Sequence, residues 1–211
     1  LLSKGEYHTE NNIKFRSGKE LEVRMHINAV KDEQNRIINY IGIVSDLTEH
    51  KLQEQRLSYL ENYDALTDLP NRFYYNYQLH LYLISQQDSL QQLAVIRLNI
   101  DRFRPLNEYL SNNGGDELLR QVAQRLRITN AEALIVAHLN GDDFAIVYEI
   151  SHIRPSIEEH CERITKAFNL PFNVQGQEHI ITLSMGVSLY PEHGRQLDYL
   201  NNCAEQALSE A

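Results

Sequence analysis

The chain has 211 residues, 42% apolar and 23% charged, which excludes a disordered, collagen-like or simple coiled-coil protein. A net charge of −9 argues against a nucleic-acid-binding surface, which needs a basic face. Apolar runs of only a few residues leave no membrane span, and Cys161 and Cys203, without paired spacing, give no disulfide framework and suit a reducing cytoplasm.

Residues 1–46 read as all-β. Leu21, Val23, Met25 and Ile27 alternate with polar residues, the period of a half-buried strand. Ser17-Gly18 predicts a hairpin turn before it, and 31–35 a turn after it, leading into an apolar run at 37–44. Residues 47–62 predict a polar connector helix capped by Thr48, with a thin stripe of Leu52, Leu57 and Leu60. That stripe fits either a helix pairing with a second copy or a solvated linker.

Beyond residue 62, strand and helix patterns alternate. Strands are predicted at 93–100, 133–139 and 144–150, with Asn140-Gly141-Asp142-Asp143 as a hairpin turn. A helix covers 117–126, and another follows Pro155 with Ile157, Cys161, Ile164 and Phe168 on one face. Residues 172–174 and 179–189 predict a hairpin around Gln175-Gly176, and Leu197, Leu200 and Ala204 start a final helix. The start at Leu1 and the helical pattern through 207–211 predict a piece of a longer protein. The fold class is α+β, with a central mixed, largely antiparallel sheet flanked by helices.

Motifs for serine or zinc hydrolases and for a phosphate loop are absent, and the nine histidines, His152 and His160 included, lack metal-ligand spacing. The remaining chemical signal is acidic. Asn99-Ile100-Asp101 ends one strand and Asp142-Asp143 sits at a hairpin tip. Neighbouring strands would bring these oxygens together in a set that suits Mg²⁺. An Asn-Gly-Asp-Asp turn needs no ligand, so the residues alone leave both readings open.

Asp64-Ala65-Leu66-Thr67-Asp68-Leu69-Pro70-Asn71-Arg72 resembles the Asp-x-Leu-Thr-Gly-Leu-Pro-Asn-Arg opening of the GGDEF, or diguanylate cyclase, family, departing at Asp68. Asn99-Ile100-Asp101-Arg102-Phe103-Arg104-Pro105-Leu106-Asn107 resembles its Asp-Ile-Asp strand and the helix beyond. Gly115-Asp116-Glu117-Leu118-Leu119, Asn140-Gly141-Asp142-Asp143-Phe144 and Ser184-Met185-Gly186-Val187 resemble later motifs in the same order. Residues 1–46, with Gly5-Glu6-Tyr7, Ser17-Gly18-Lys19 and the exit Val44-Ser45-Asp46-Leu47-Thr48, resemble the C-terminal part of a PAS domain. The implied organisation is 1–46 PAS, 47–62 connector helix and 63–211 GGDEF domain.

The resemblance implies condensation of two GTP molecules to cyclic-di-GMP across a homodimer, in the cytoplasm or below a membrane anchor elsewhere in a longer chain. It assigns metal ligation, with Mg²⁺ as cofactor, to Asn99, the carbonyl of Ile100, and Asp142. Asp142 and Asp143 become the catalytic acids, Asn107 and Asp116 read guanine, and Arg104 and Gly141 meet phosphate. Asn99 stands where the family has Asp, Asn140 where it has Gly, and Asp143 where it has Glu. A neutral amide in place of a carboxylate weakens a phosphoryl-transfer site by roughly 10²–10³ in rate. The expectation is a degenerate GGDEF domain, weak or inactive as a cyclase, binding GTP and regulating a downstream EAL phosphodiesterase domain. The alternatives are an active cyclase in which Asp101 replaces the lost charge, and a module that only dimerises.

Overall fold

The computed structural model describes residues 6–16, 18, 20–85, 92–150 and 156–211. The chain forms two compact units, Leu1–Tyr59 and Leu60–Ala211.

The first unit is an antiparallel sheet of β1 (Glu6–Lys14), β2 (Glu20–Lys31) and β3 (Ile37–Asp46), in that spatial order. The alternation in β2 buries Val23 and half-buries Leu21, Met25 and Ile27. The turn after β2 is held by Asp32, whose carboxylate accepts the N–H groups of Gln34 at 2.9 Å and Arg36 at 2.8 Å. Gly18 is left-handed (φ 83°); Gly5, Ser17 and Lys19 lie outside the described residues. Helix α1 (Thr48–Asn62) follows. Its first N–H, at Thr48, is capped by the Asp46 carboxylate at 2.8 Å. Thr48 is therefore the capped residue and Asp46 the cap, because an Asp side chain reaches the N–H two residues on. Leu52, Leu57 and Leu60 are all exposed.

The second unit is built on a four-stranded sheet in the order β5-β6-β4-β9, every ladder antiparallel. These are β4 (Gln92–Ile100), β5 (Ile135–Asn140), β6 (Asp143–Ile150) and β9 (Leu183–Tyr190). Period-two alternation splits the central strand β4 between two cores. Ile96, Leu98 and Ile100 face α3 (Phe103–Thr129) and α4 (Ile157–Phe168). Leu93 and Val95 face α2 (Arg72–Ser85) and α5 (Leu197–Ser209). Helix α4 starts in a reciprocal cap: Ser156 accepts from the Glu159 N–H while Glu159 accepts from the Ser156 N–H. Pro155 and His152 lie outside the described residues.

Helix α3 is longer than the predicted 117–126, β5 starts two residues later than predicted, and two hairpins differ from expectation. The predicted hairpin of 172–174 with 179–189 is two separate structures. β7 (Phe172–Val174) pairs with the short β8 (Gln177–His179), while β9 joins β4 instead. The break falls where Ile181 turns into the core. The hairpin at 140–143 is tighter than predicted, since Asn140 and Asp143 are paired strand residues and only Gly141 and Asp142 form the turn. Among the described residues no helix is long and apolar enough to cross a membrane.

Candidate functional site

The β4–β6 ladder carries the motif residues to one end of the sheet. Asn99 lies opposite Asp143 on one side and Ser184 on the other. The Ile100 N–H donates to the Asp142 carbonyl at 3.3 Å. Asn99, the Ile100 backbone, Asp142 and Asp143 are thus brought to the same end of the sheet. The left-handed residue of the turn is Gly141 (φ 51°). Asn140 is extended in β5, so its side chain does not burden the turn.

The charges are arranged otherwise than a metal centre requires. Asp143 is held by Arg97, whose Nη2 donates to Oδ2 at 3.0 Å. Arg97 is only 3% exposed and also approaches Glu205 on α5, at 3.6 Å. Asp101, the candidate replacement for the lost carboxylate, accepts the Ser184 hydroxyl at 2.8 Å and also the Thr182 hydroxyl. Within Asn99, Ile100 and Asp142, Asp142 is the one charged donor. Among the described residues no group of three or more His, Cys, Asp or Glu side chains is placed to hold a metal ion. A hard divalent cation prefers carboxylate oxygens. Without substrate phosphates it would meet one carboxylate beside a buried guanidinium, a donor set that does not by itself fit the ion.

The end that the family resemblance assigns to the nucleotide is local in sequence. Helix α3 breaks at Ser111 (φ 64°, ψ 166°) and folds back through Gly114 and Gly115. A Cβ on Gly115 would collide with the Asn107 carboxamide oxygen. The missing side chain thus seats Asn107 directly against the residue before Asp116. Arg104 is 91% exposed and pairs with Glu108 at 3.3 Å, one helical turn on. An open cleft of about 880 Å³ lies beside this end, lined by Asn99, Asp101, Arg102, Leu106, Thr182 and Ser184 among others.

A residue outside the predicted set joins the first motif to the hairpin. His138 on β5 is buried, with Nδ1 at 2.9 Å from the Asp64 carboxylate and Nε2 at 2.8 Å from the Gly141 carbonyl. Its ring stacks on Phe144 with centroids 4.6 Å apart. Burial opposes the charged form of Asp64, but hydrogen bonds from His138 and Thr67 outweigh it and hold the carboxyl below its usual range. Asp68, the departure in that motif, is left-handed (φ 58°), a conformation Asp tolerates better than most residues. The signal for His138 and Arg97 was present in the sequence: each is a titratable residue inside an otherwise apolar strand run. His160 is a packed side chain against Tyr148, with ring centroids 3.9 Å apart.

The family model for the diguanylate cyclase, GGDEF domain matches residues 61–211. The chain belongs to the GGDEF family. It is 33% identical over 169 residues to an uncharacterized signaling protein of Caulobacter vibrioides, covering 80% of this chain and 21% of that protein. It is 31% identical over 157 residues to the cyclic di-GMP phosphodiesterase NbdA of Pseudomonas aeruginosa, covering 74% of this chain and 20% of that one. Among solved structures, a sensory box/GGDEF family protein from Caulobacter crescentus superposes with a TM-score of 0.66 at 33% identity. That match covers 71% of this chain and 97% of the other. The chain spans about a fifth of the length of the curated relatives named here. The GGDEF domain therefore places the chain in cyclic-di-GMP signalling.

Proposed function

We propose that this is a degenerate GGDEF domain, weak or inactive as a cyclase, that binds GTP and regulates the longer protein it belongs to. The observation that carries the reading is the pairing of Asp143 with buried Arg97 opposite the neutral Asn99. Phosphoryl transfer depends on preorganised positive charge at the phosphates and on anionic ligands to hold it. This hairpin has turned one of its acids inward.

The base end supports retained binding. Asn107 offers a donor and an acceptor, Asp116 an acceptor, and Gly115 keeps them close. Arg104 supplies an exposed cation one helical turn before Asn107. The first unit, read as PAS-like, and α1 with its exposed leucines would carry a signal to the GGDEF domain through a homodimer. A phosphodiesterase domain downstream is the output this reading favours, by likeness to NbdA.

The test is thermal melting with GTP, with ATP and without nucleotide, alongside chromatography of the reaction mixture for cyclic-di-GMP. Saturation at about 100 times the dissociation constant adds roughly 2.7 kcal/mol, a rise of about 5–10 °C. GTP is expected to raise the melting temperature, ATP to leave it unchanged, and no cyclic-di-GMP to accumulate. Product at a normal turnover rate would overturn the reading in favour of an active cyclase. No response to GTP would favour a module that only dimerises.

A further inference from the structure

Arg97 is the one charged residue in β4, a strand buried along nearly its whole length. A guanidinium in such a place is stable only when carboxylates answer it. Asp143 does so at 3.0 Å and Glu205 at 3.6 Å, while its Nε has no hydrogen-bond partner among the described residues. Period two puts Arg97 on the same face of β4 as Asn99, and Asn99 is the residue opposite Asp143. Gly186 lies opposite Arg97 on β9, and a Cβ there would collide with the α5 backbone at Ala204 and Leu208. Helix α5 thus closes over this face at Arg97, which is screened little by water.

We propose that Arg97 is the resident cation of this site. It neutralises Asp143, ties the hairpin to β4 and α5 without a metal ion, and excludes a divalent cation from Asn99, Ile100 and Asp142. The neutral amide of Asn99 and the guanidinium of Arg97 then act together: the strand carries its own fixed cation where a carboxylate would have called for a mobile one. A fixed positive charge next along the same strand face opposes an incoming divalent ion, and poor screening strengthens that opposition. Restoring the carboxylate alone would give Arg97 a second anionic partner rather than a metal ligand. The inference rests on the degenerate-site reading above, but its test needs neither nucleotide nor turnover.

Mn²⁺ is titrated into the protein without nucleotide, and free Mn²⁺ is followed by its EPR signal. The wild type, Asn99→Asp and the double variant Arg97→Met with Asn99→Asp are compared. The double variant is expected to bind Mn²⁺ at least about tenfold more tightly than Asn99→Asp. A smaller difference overturns the proposal. A second arm decides the matter if the double variant does not fold. Asp143→Asn strands the buried guanidinium and is expected to lower the melting temperature by about 6–15 °C, equally with and without Mg²⁺. A loss below about 4 °C, or one that Mg²⁺ reverses, overturns it. A missing GTP response would defeat the proposed function and leave the Mn²⁺ comparison standing.

Discussion

The two ends of the site are built differently, and they have departed from the family pattern to different degrees. The nucleotide end comes from one stretch of chain, where α3 breaks at Ser111 and returns Gly115 and Asp116 to Asn107. Its Asn107 and Asp116 keep the family pattern, and Arg104 keeps the positive charge of the Lys usual there. The hairpin end is assembled from β4, β5 and β6 and from the loop at 63–71, far apart in sequence. There Asn99, Asn140 and Asp143 all differ, yet the hairpin is firmly held. His138 ties it to Asp64, and Arg97 ties it to α5. The hairpin keeps its place in the fold through contacts that do not depend on a metal ion, so its ligand chemistry could change while its shape stayed. The nucleotide end has no such separation of roles, because the residues that would touch the base also shape the turn.

After Asp143→Asn, the largest expected effect also breaks the hairpin end. His138→Ala removes the ring's contacts with Asp64 and Gly141 and the stack on Phe144. It leaves a half-buried carboxylate and a carbonyl without those partners, a loss of about 3 kcal/mol. In a domain of this size that lowers the melting temperature by roughly 6–12 °C, read by calorimetry. Under the contrast drawn here, the variant that still folds keeps its GTP response, because the nucleotide end is built independently. Loss of that response at a temperature where the fold persists would show the two ends to be coupled.

Gly115→Ala sharpens the comparison from the other side. The added methyl pushes aside the Asn107 carboxamide, the far end of a polar side chain, rather than backbone. The stability loss should stay near 1 kcal/mol, within the usual range for a single substitution. The GTP-dependent rise in melting temperature should fall by more than half, because the base loses a positioned donor and acceptor. An undiminished rise would move the nucleotide away from Asn107.

How much of this was legible depended on whether the signal was local. The hairpin, the strand ending in Asn99 and the helix stripes of α4 and α5 were readable from period and turn residues. Helix α2 was not, because apolar residues cover both its faces: Tyr75, Leu79 and Leu83 are buried, while Phe73, Tyr77 and Ile84 are exposed. That blurs the 3.6-residue period. The break between β8 and β9 was missed because Ile180, Ile181 and Thr182 continue a strand-like pattern, and only the choice of pairing partner separates them. The motif residues of the site were legible, and the structure brings Asn99 and the hairpin acids together. The partners that set their charge were not. A lone Arg in an apolar strand announces that it needs an anion but does not say which one.

The smallest effect concerns pH, and it isolates the Asp64–His138 link from the rest. Asp64 has a lowered pKa in the folded state, so its charged form stabilises the fold above the unfolded-state value near 3.8. That contribution is fully present at neutral pH and is lost as the pH falls through the lowered folded-state value. Asp64→Asn keeps an oxygen that can accept from Thr67 but gives up the charge, for a cost of about 1 kcal/mol at pH 7. Melting curves of wild type and variant should therefore differ by roughly 2–4 °C at pH 7 and converge only as the pH falls below the lowered folded-state value. A constant gap across that range would mean the loss comes from hydrogen-bond geometry alone. The hairpin would then be held by the shape of the His138 contact and not by the charge of Asp64, and the electrostatic part of the comparison would rest on Arg97.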